Sequence, residues 1–370
     1  MLPGMSGSPV TSLPWRTVLP RSADGHVRLP ETVKTMTCTD ALADLVQSLP
    51  KAELHVHLEG TISAATAIRC AQRNNVELPW QSEEELTSAY DFPDLPGFLE
   101  VLWAAARTLR TRDDFYDMTI DYLRRAHLDN VVHAEAFFGA QTFLDTGVEI
   151  ATTLDGVFEA IDDARTEWGI DAHVLCTAQR HREEATALEL LDLIEPWRER
   201  ILGVGLGGAE RGNPPAKFAR FFAEAKQRGY HRTIHAGEDA PSSYVEEALD
   251  LCDPERIDHG VAAAQDPTLL RRLRDAGMPL TVCPLSNLAL GIIPSLQELP
   301  LAELLRAGVV ATVNSDDPAF FGGYLNDNYI ATISALDLTR DDVILLARNS
   351  IAASFMEDEE KARILGAFSA

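Results

Sequence analysis

Eight short runs rich in valine and isoleucine alternate with stretches of helical periodicity along most of this chain. They fall at residues 52–57, 130–138, 170–178, 201–207, 230–236, 256–260, 279–283 and 308–314. An apolar run followed by an amphipathic helix, repeated, lays down successive βα units of a parallel sheet. Eight units are enough for the sheet to close, so the expected fold is α/β, a TIM-type (β/α)8 barrel. A length of 370 residues suits one such barrel with insertions, and 46% hydrophobic residues can fill its core.

The first two runs are too far apart for a simple crossover. Helical periodicity over 64–74, 82–89, 96–109 and 112–127 predicts a helical insertion after strand 1, at about 62–128. Insertions at a barrel mouth can cover the chemistry there, so this one is expected to be lid-like. Residues 1–40 carry proline and serine where a signal peptide needs an unbroken apolar run, and they read as a poorly ordered extension. Residues 41–370 read as a single domain.

A formal charge of −25 opposes lasting contact with a phosphate backbone or an anionic membrane, which excludes nucleic-acid polymers and membranes as partners. Five scattered cysteines (Cys38, Cys70, Cys176, Cys252, Cys283) with no C-x-x-C spacing suit free thiols in a reducing compartment. A cytoplasmic protein acting on a small molecule is expected. Its oligomeric state is left open, a homo-oligomer included.

Four of the runs end on residues that can carry chemistry. The first closes on His55-Val56-His57, two imidazoles on one face of a strand. The fifth closes on His235-Ala236-Gly237-Glu238-Asp239, the sixth on Asp258-His259-Gly260, and the eighth on Asn314-Ser315-Asp316-Asp317. Each has a bland reading taken singly: hydrogen-bonded histidines, an acidic helix start (the better reading for Asp239), a buried histidine, a turn. In a barrel, however, the C-terminal ends of strands one, five, six and eight converge on one mouth. Three histidines and an aspartate, His55, His57, His235 and Asp316, then offer the nitrogen and oxygen ligands that Zn2+ accepts, with room for water. The fourth run ends in glycines (203–208), and no lysine that could bridge two metals stands between them and Lys217, so one zinc per chain is expected.

Taken in order, ELHVHLEG, LGVGLGGAE, HAGED, RIDHG, LTVCPLSN and NSDDP resemble the adenosine deaminase family of the amidohydrolase superfamily, over about residues 49–356. The resemblance implies zinc-dependent hydrolytic deamination of a 6-aminopurine to the 6-oxopurine and ammonia. It implies the same four ligands, with Asp316 also part of the catalytic group. Glu238 would protonate the purine N1, His259 would orient the attacking hydroxide, Asp317 would meet N7 and the Gly208 N–H would meet N3. Glu59 stands where adenosine deaminases typically have an aspartate expected to meet the ribose, and in this it resembles adenine deaminases. Gly208 follows the nucleoside enzymes, so adenine and adenosine both stay open. A larger nucleoside such as aminodeoxyfutalosine is an alternative that would require an anion-binding group such as Arg180 or Arg182 near the mouth. A mononuclear zinc amidohydrolase acting on a non-purine substrate is another.

Overall fold

The computed structural model describes residues 40–368. The expected N-terminal extension lies outside the described residues, apart from Asp40, which opens a helix running to Ser48.

The strands are β1 (Lys51–His57), β2 (Val131–Phe138), β3 (Asp171–Gln179), β4 (Ile201–Gly207), β5 (His231–Ala236), β6 (Arg256–His259), β7 (Leu280–Val282) and β8 (Ala311–Val313). They pair in parallel in sequence order, β1 to β8. The ring closes through a bridge between Val56 and Asp316, where His57 N–H donates to the Asp316 carbonyl (2.8 Å) and Asp316 N–H donates to the His55 carbonyl (3.0 Å). The molecule is a (β/α)8 barrel, and β7 and β8 are shorter than the apolar runs containing them. From β5 onward, all strand residues but His231 are buried. This is why the strands read as continuous apolar runs rather than alternating ones.

Between β1 and β2 lie four helices, Ala64–Asn74, Glu83–Ser88, Leu95–Ala106 and Arg112–Leu128. Local chemistry starts them: Ser63 Oγ accepts from the Thr66 N–H, and Thr111 with Asp114 forms a reciprocal capping box. The buried Asp114 carboxylate also accepts from Asn74 Nδ2 (2.9 Å) and the Arg110 N–H (2.9 Å), tying the first helix of the insertion to the last. Helix Ile150–Trp168 lies against Arg112–Leu128 so closely that a Cβ at Gly156 would sit 2.3 Å from the Arg112 carbonyl oxygen. No helix among the described residues is long and apolar enough to cross a membrane.

The main core surrounds the sheet, and a smaller cluster of Ala52, Leu54, Ile351, Ala353, Met356 and Ile364 closes the barrel floor. Arg256 is fully buried there and donates to Glu135 Oε2 (2.6 Å), the Ala353 carbonyl (3.3 Å) and the Leu54 carbonyl (3.2 Å). It joins three strands to the C-terminal segment.

Candidate active site

The rim opposite that floor gathers His55 and His57 from β1, His235 from β5, His259 from β6 and Asp316 just past β8. On β1 the register against β2 slips between Glu53 and Val56, so Leu54 and His55 together oppose Glu135. Such a bulge bends the strand locally and re-aims the side chains beyond it. Asp316 and His259 both hold left-handed backbone, φ 65° and 63°, which costs a non-glycine residue energy and clusters at functional sites.

His55 Nε2 lies 3.2 Å and His57 Nε2 3.4 Å from Asp316 Oδ1, and His57 Nε2 lies 3.2 Å from His235 Nε2. For a tetrahedral ion with bonds of about 2.0–2.1 Å, neighbouring ligand atoms stand about 3.3–3.4 Å apart. The atoms are therefore spaced as a coordination shell.

Their protonation is fixed from behind by Asp258. Burial alone would raise that carboxyl's pKa, but the hydrogen bond from His235 and the nearby Arg256 charge lower it and hold Asp258 ionised. An ionised carboxylate only accepts, so His235 Nδ1–H donates to Oδ2 (3.2 Å) and the Thr281 hydroxyl donates to Oδ1 (3.2 Å). Thr281 Oγ1 must then accept from His55 Nδ1–H (2.8 Å). Both rings thus turn Nε2 toward the site, and His55 Nε2 has no hydrogen-bond partner among the described residues. Burial pushes the His57 pKa down to about 3 and lowers that of His235 as well, keeping both neutral. Three imidazole nitrogens and a carboxylate oxygen therefore crowd together on one point. A bound cation is what this donor set fits, with two imidazoles oriented by a carboxylate behind them.

Beside the shell sits Glu238, buried, with Oε1 3.7 Å from His259 Nε2. Burial first, then the charges of Asp316 and Glu210, raise its pKa well above the ordinary carboxylate value, which favours the protonated form. Burial likewise holds His259 neutral and raises Asp317. The backbone carrying Glu238 is held by Glu210: one carboxylate oxygen accepts from the Gly237 N–H (2.7 Å), the other from those of Glu238, Asp239 and Ala240 (3.0 Å each). Arg180 braces the same loop by donating to the His235 carbonyl (2.7 Å).

The pocket in front of these groups is lined by Glu59, Gly208, His57, His235, Asp316 and Asp317, and walled by Leu95, Phe98, Leu99, Leu102 and Trp103 of the insertion together with Leu290. Glu59 Oε1 accepts from the Gly139 N–H (2.6 Å), and burial raises its carboxyl to about 7. Gly60 packs directly on Asp317: a Cβ there would come within 2.6 Å of the Asp317 Cα. Gly208, at φ 95°, bends the chain away at the end of β4.

Of the residues singled out in the sequence, His57, Glu59, Gly208, His235, Glu238, His259, Asp316 and Asp317 line one cavity, and His55 lies buried against Asp316 behind it. Asp239 instead pairs outward with Arg211, the bland reading of that acid. Neither arginine considered as an anion binder is free: Arg180 is spent on the His235 and Asn213 carbonyls, and Arg182 on Gln179 and Asp145. Sequence reasoning left Asp258, Thr281 and Glu210 without roles. Asp258 and Glu210 each stand at or just past the end of a barrel strand, the signal that singled out Glu238, and could have been found by it.

A family model described as adenosine deaminase matches residues 50–369. An adenine deaminase from Cupriavidus metallidurans is 49% identical over 330 residues, covering 89% of this chain and 93% of the relative. One from Caulobacter vibrioides is 46% identical, covering 89% and 96%. Among solved structures, adenine deaminase from Arthrobacter aurescens superposes with a TM-score of 0.85 at 41% identity, over 87% of this chain and 98% of that one. An amidohydrolase from Burkhoderia ambifaria with bound Zn gives 0.83 at 26% identity, over 90% and 93%.

Proposed function

The chain belongs to the adenosine deaminase family, and from that premise we propose that it is a zinc-dependent deaminase whose substrate is the free base adenine, converted to the 6-oxopurine and ammonia. The observation that carries this reading is a buried carboxyl, Glu238, lining the same cavity as the convergent metal-type ligands and 3.7 Å from His259. His55, His57, His235 and Asp316 would hold one Zn2+ per chain. Bound there, the ion supplies a nucleophile at neutral pH by lowering the pKa of water from about 15.7 toward 7.

The remaining work falls to the chain's own side chains. Addition of water at C6 drives electron density onto N1, where Glu238 gives up its proton. Neutral His259, between Glu238 and Asp316, orients the incoming oxygen and takes its proton. Asp317, whose pKa burial raises, would donate toward N7, and the Gly208 N–H would meet N3. His259 passes the proton it took to the exocyclic nitrogen, the C6–N bond breaks and ammonia leaves, and the C6 hydroxyl returns its proton to Glu238 as the 6-oxo group forms. Residues 41–370 act as one metal-dependent domain, with the helical insertion covering the pocket and excluding water from it. The four described cysteines are free and buried, which supports a cytoplasmic setting.

Adenine is favoured over a nucleoside by two features of the pocket and by the adenine deaminases at 46–49% identity. Glu59 is one methylene longer than the aspartate of the nucleoside enzymes and lines the cavity with its carboxyl held on the Gly139 N–H, which leaves less room beside a base. The facing wall of leucines, Phe98 and Trp103 offers few partners for ribose hydroxyls, which are costly to bury unpaired. A panel of adenine, adenosine, 2′-deoxyadenosine and aminodeoxyfutalosine, followed by ammonia release, should give a kcat/KM for adenine at least about 10²-fold above the rest. A nucleoside turned over as well as adenine would refute the assignment.

The tautomer-setting role of Asp258 predicts a metal phenotype. Asp258→Asn should weaken zinc affinity by about 10–100-fold, measured by competition with a chelating dye. Thr281→Val, which unseats His55 alone, should do less. Unchanged affinity in both variants would mean that the rings are oriented by packing alone.

A further inference from the structure

The end of the barrel away from the candidate active site holds a second group of metal-type ligands. His133 on β2 stands directly opposite Asp171 on β3, and His173 lies two residues further along the same strand. His133 Nδ1 and His173 Nε2 each lie 2.9 Å from the same oxygen, Asp171 Oδ2, and the three ligand atoms lie within 4.8 Å of one another.

We propose that His133 Nδ1, Asp171 Oδ2 and His173 Nε2 form a second site for a divalent transition-metal ion at the barrel floor, with water completing its shell. The first support is the other face of His133. Its Nε2 lies 3.0 Å from Glu135 Oε1, so both nitrogens of a ring only 1% exposed meet carboxylate oxygens. Carboxylates accept and do not donate. Without a cation the ring must therefore carry two protons and sit as a buried imidazolium. A divalent ion at Nδ1 takes the place of one proton, while Nε2–H still donates to Glu135. The result is a carboxylate–histidine–metal arrangement, in which the carboxylate fixes the ligand's tautomer.

Glu135 is itself anchored for that task. Its Oε2 accepts from Arg256 (2.6 Å) and its Oε1 from the Phe355 N–H (2.5 Å). The second support is access. Asp171 and His173 are 42% and 30% exposed, so an ion can enter from solvent and keep water ligands. Arg165 holds the opposite oxygen, Oδ1, at 2.7 Å and leaves Oδ2 to the imidazoles. Two imidazoles and one carboxylate select Zn2+, Ni2+ or Co2+ over Mg2+ and Ca2+, which want an all-oxygen shell. An ion there would pin the start of β2 to the start of β3 and, through Glu135, to the C-terminal segment.

The test counts ions. Wild-type protein, His173→Ala and Asp171→Asn are equilibrated at the same buffered, micromolar free Zn2+, and bound zinc is measured by elemental analysis. Each variant should hold one ion per chain fewer than the wild type, with the deamination rate unchanged. Because only the difference is read, the result does not depend on the substrate assignment or on occupancy of the rim site. Equal zinc in wild type and either variant would overturn the proposal and leave the cluster as hydrogen bonds and ion pairs alone.

Discussion

Replacing Glu238 with Gln should lower kcat on adenine by about 10²–10⁴-fold, the usual contribution of a positioned general acid. KM should change little and bound zinc should be retained. The amide is nearly isosteric, and its backbone would still hang from the Glu210 carboxylate. It could still donate a hydrogen bond to N1, but it has no proton to transfer when the ring nitrogen becomes basic. The wild-type carboxyl does the chemistry in its protonated form, which burial keeps populated above the ordinary carboxylate range. Activity should therefore fall on the alkaline side as pH rises through that raised pKa, and the Gln variant should lose this limb of the profile. Steady-state kinetics across pH reads both effects. Full turnover by the variant would instead favour hydrolysis of a neutral amide, which has no need of an acid matched to a ring nitrogen.

Arg256→Met should cost about 3–5 kcal/mol of stability, read from the urea midpoint, because it strands a buried carboxylate. Glu135 is fully buried, which by itself would raise its pKa, but the Arg256 charge and the His133 hydrogen bond outweigh burial and bring it down to about 2. A folded pKa below the ordinary 4.5 means that the group stabilises the fold above about pH 4.5 and that this contribution is lost as pH falls toward 2. With Met at 256 the depression shrinks and so does the acid-dependent part of stability. Adding Glu135→Gln to Arg256→Met should recover much of the loss, since the penalty comes from the unpaired charge. If the double variant were less stable than the single one by the full cost of Glu135→Gln alone, the two residues would be independent and the pairing irrelevant.

The sequence shows the barrel because its strands are buried on both faces and its helices on one, two patterns with different periods. It shows the rim residues because apolar runs ending on His57, His235, His259 or Asn314-Ser315-Asp316 break off where a parallel strand delivers its last side chain. What it conceals are relations between strands. The Asp258–Thr281–His55 relay depends on the register that places Asp258 beside Thr281, and no spacing along the chain encodes that pairing. The bulge at Leu54–His55 is equally silent, since no glycine or proline marks it. Periodicity reveals helix Leu95–Ala106 but not that Phe98 and Trp103 face the cavity, because a pocket wall and a core contact need the same apolar residues. Glu210 reads as the polar end of a glycine run until its carboxylate is seen gathering four N–H groups from 27 to 30 residues further on.

The central claim is that His55, His57, His235 and Asp316 hold the ion on which turnover depends. It is tested most directly on the His173→Ala variant, which lacks the proposed floor ligand and so reports the rim alone. Stripped with chelator, the protein should stay folded and deaminate nothing, then regain its full rate as it takes up one tightly held zinc per chain. A folded, stripped protein that still released ammonia from adenine, or that refused zinc on titration, would contradict the account.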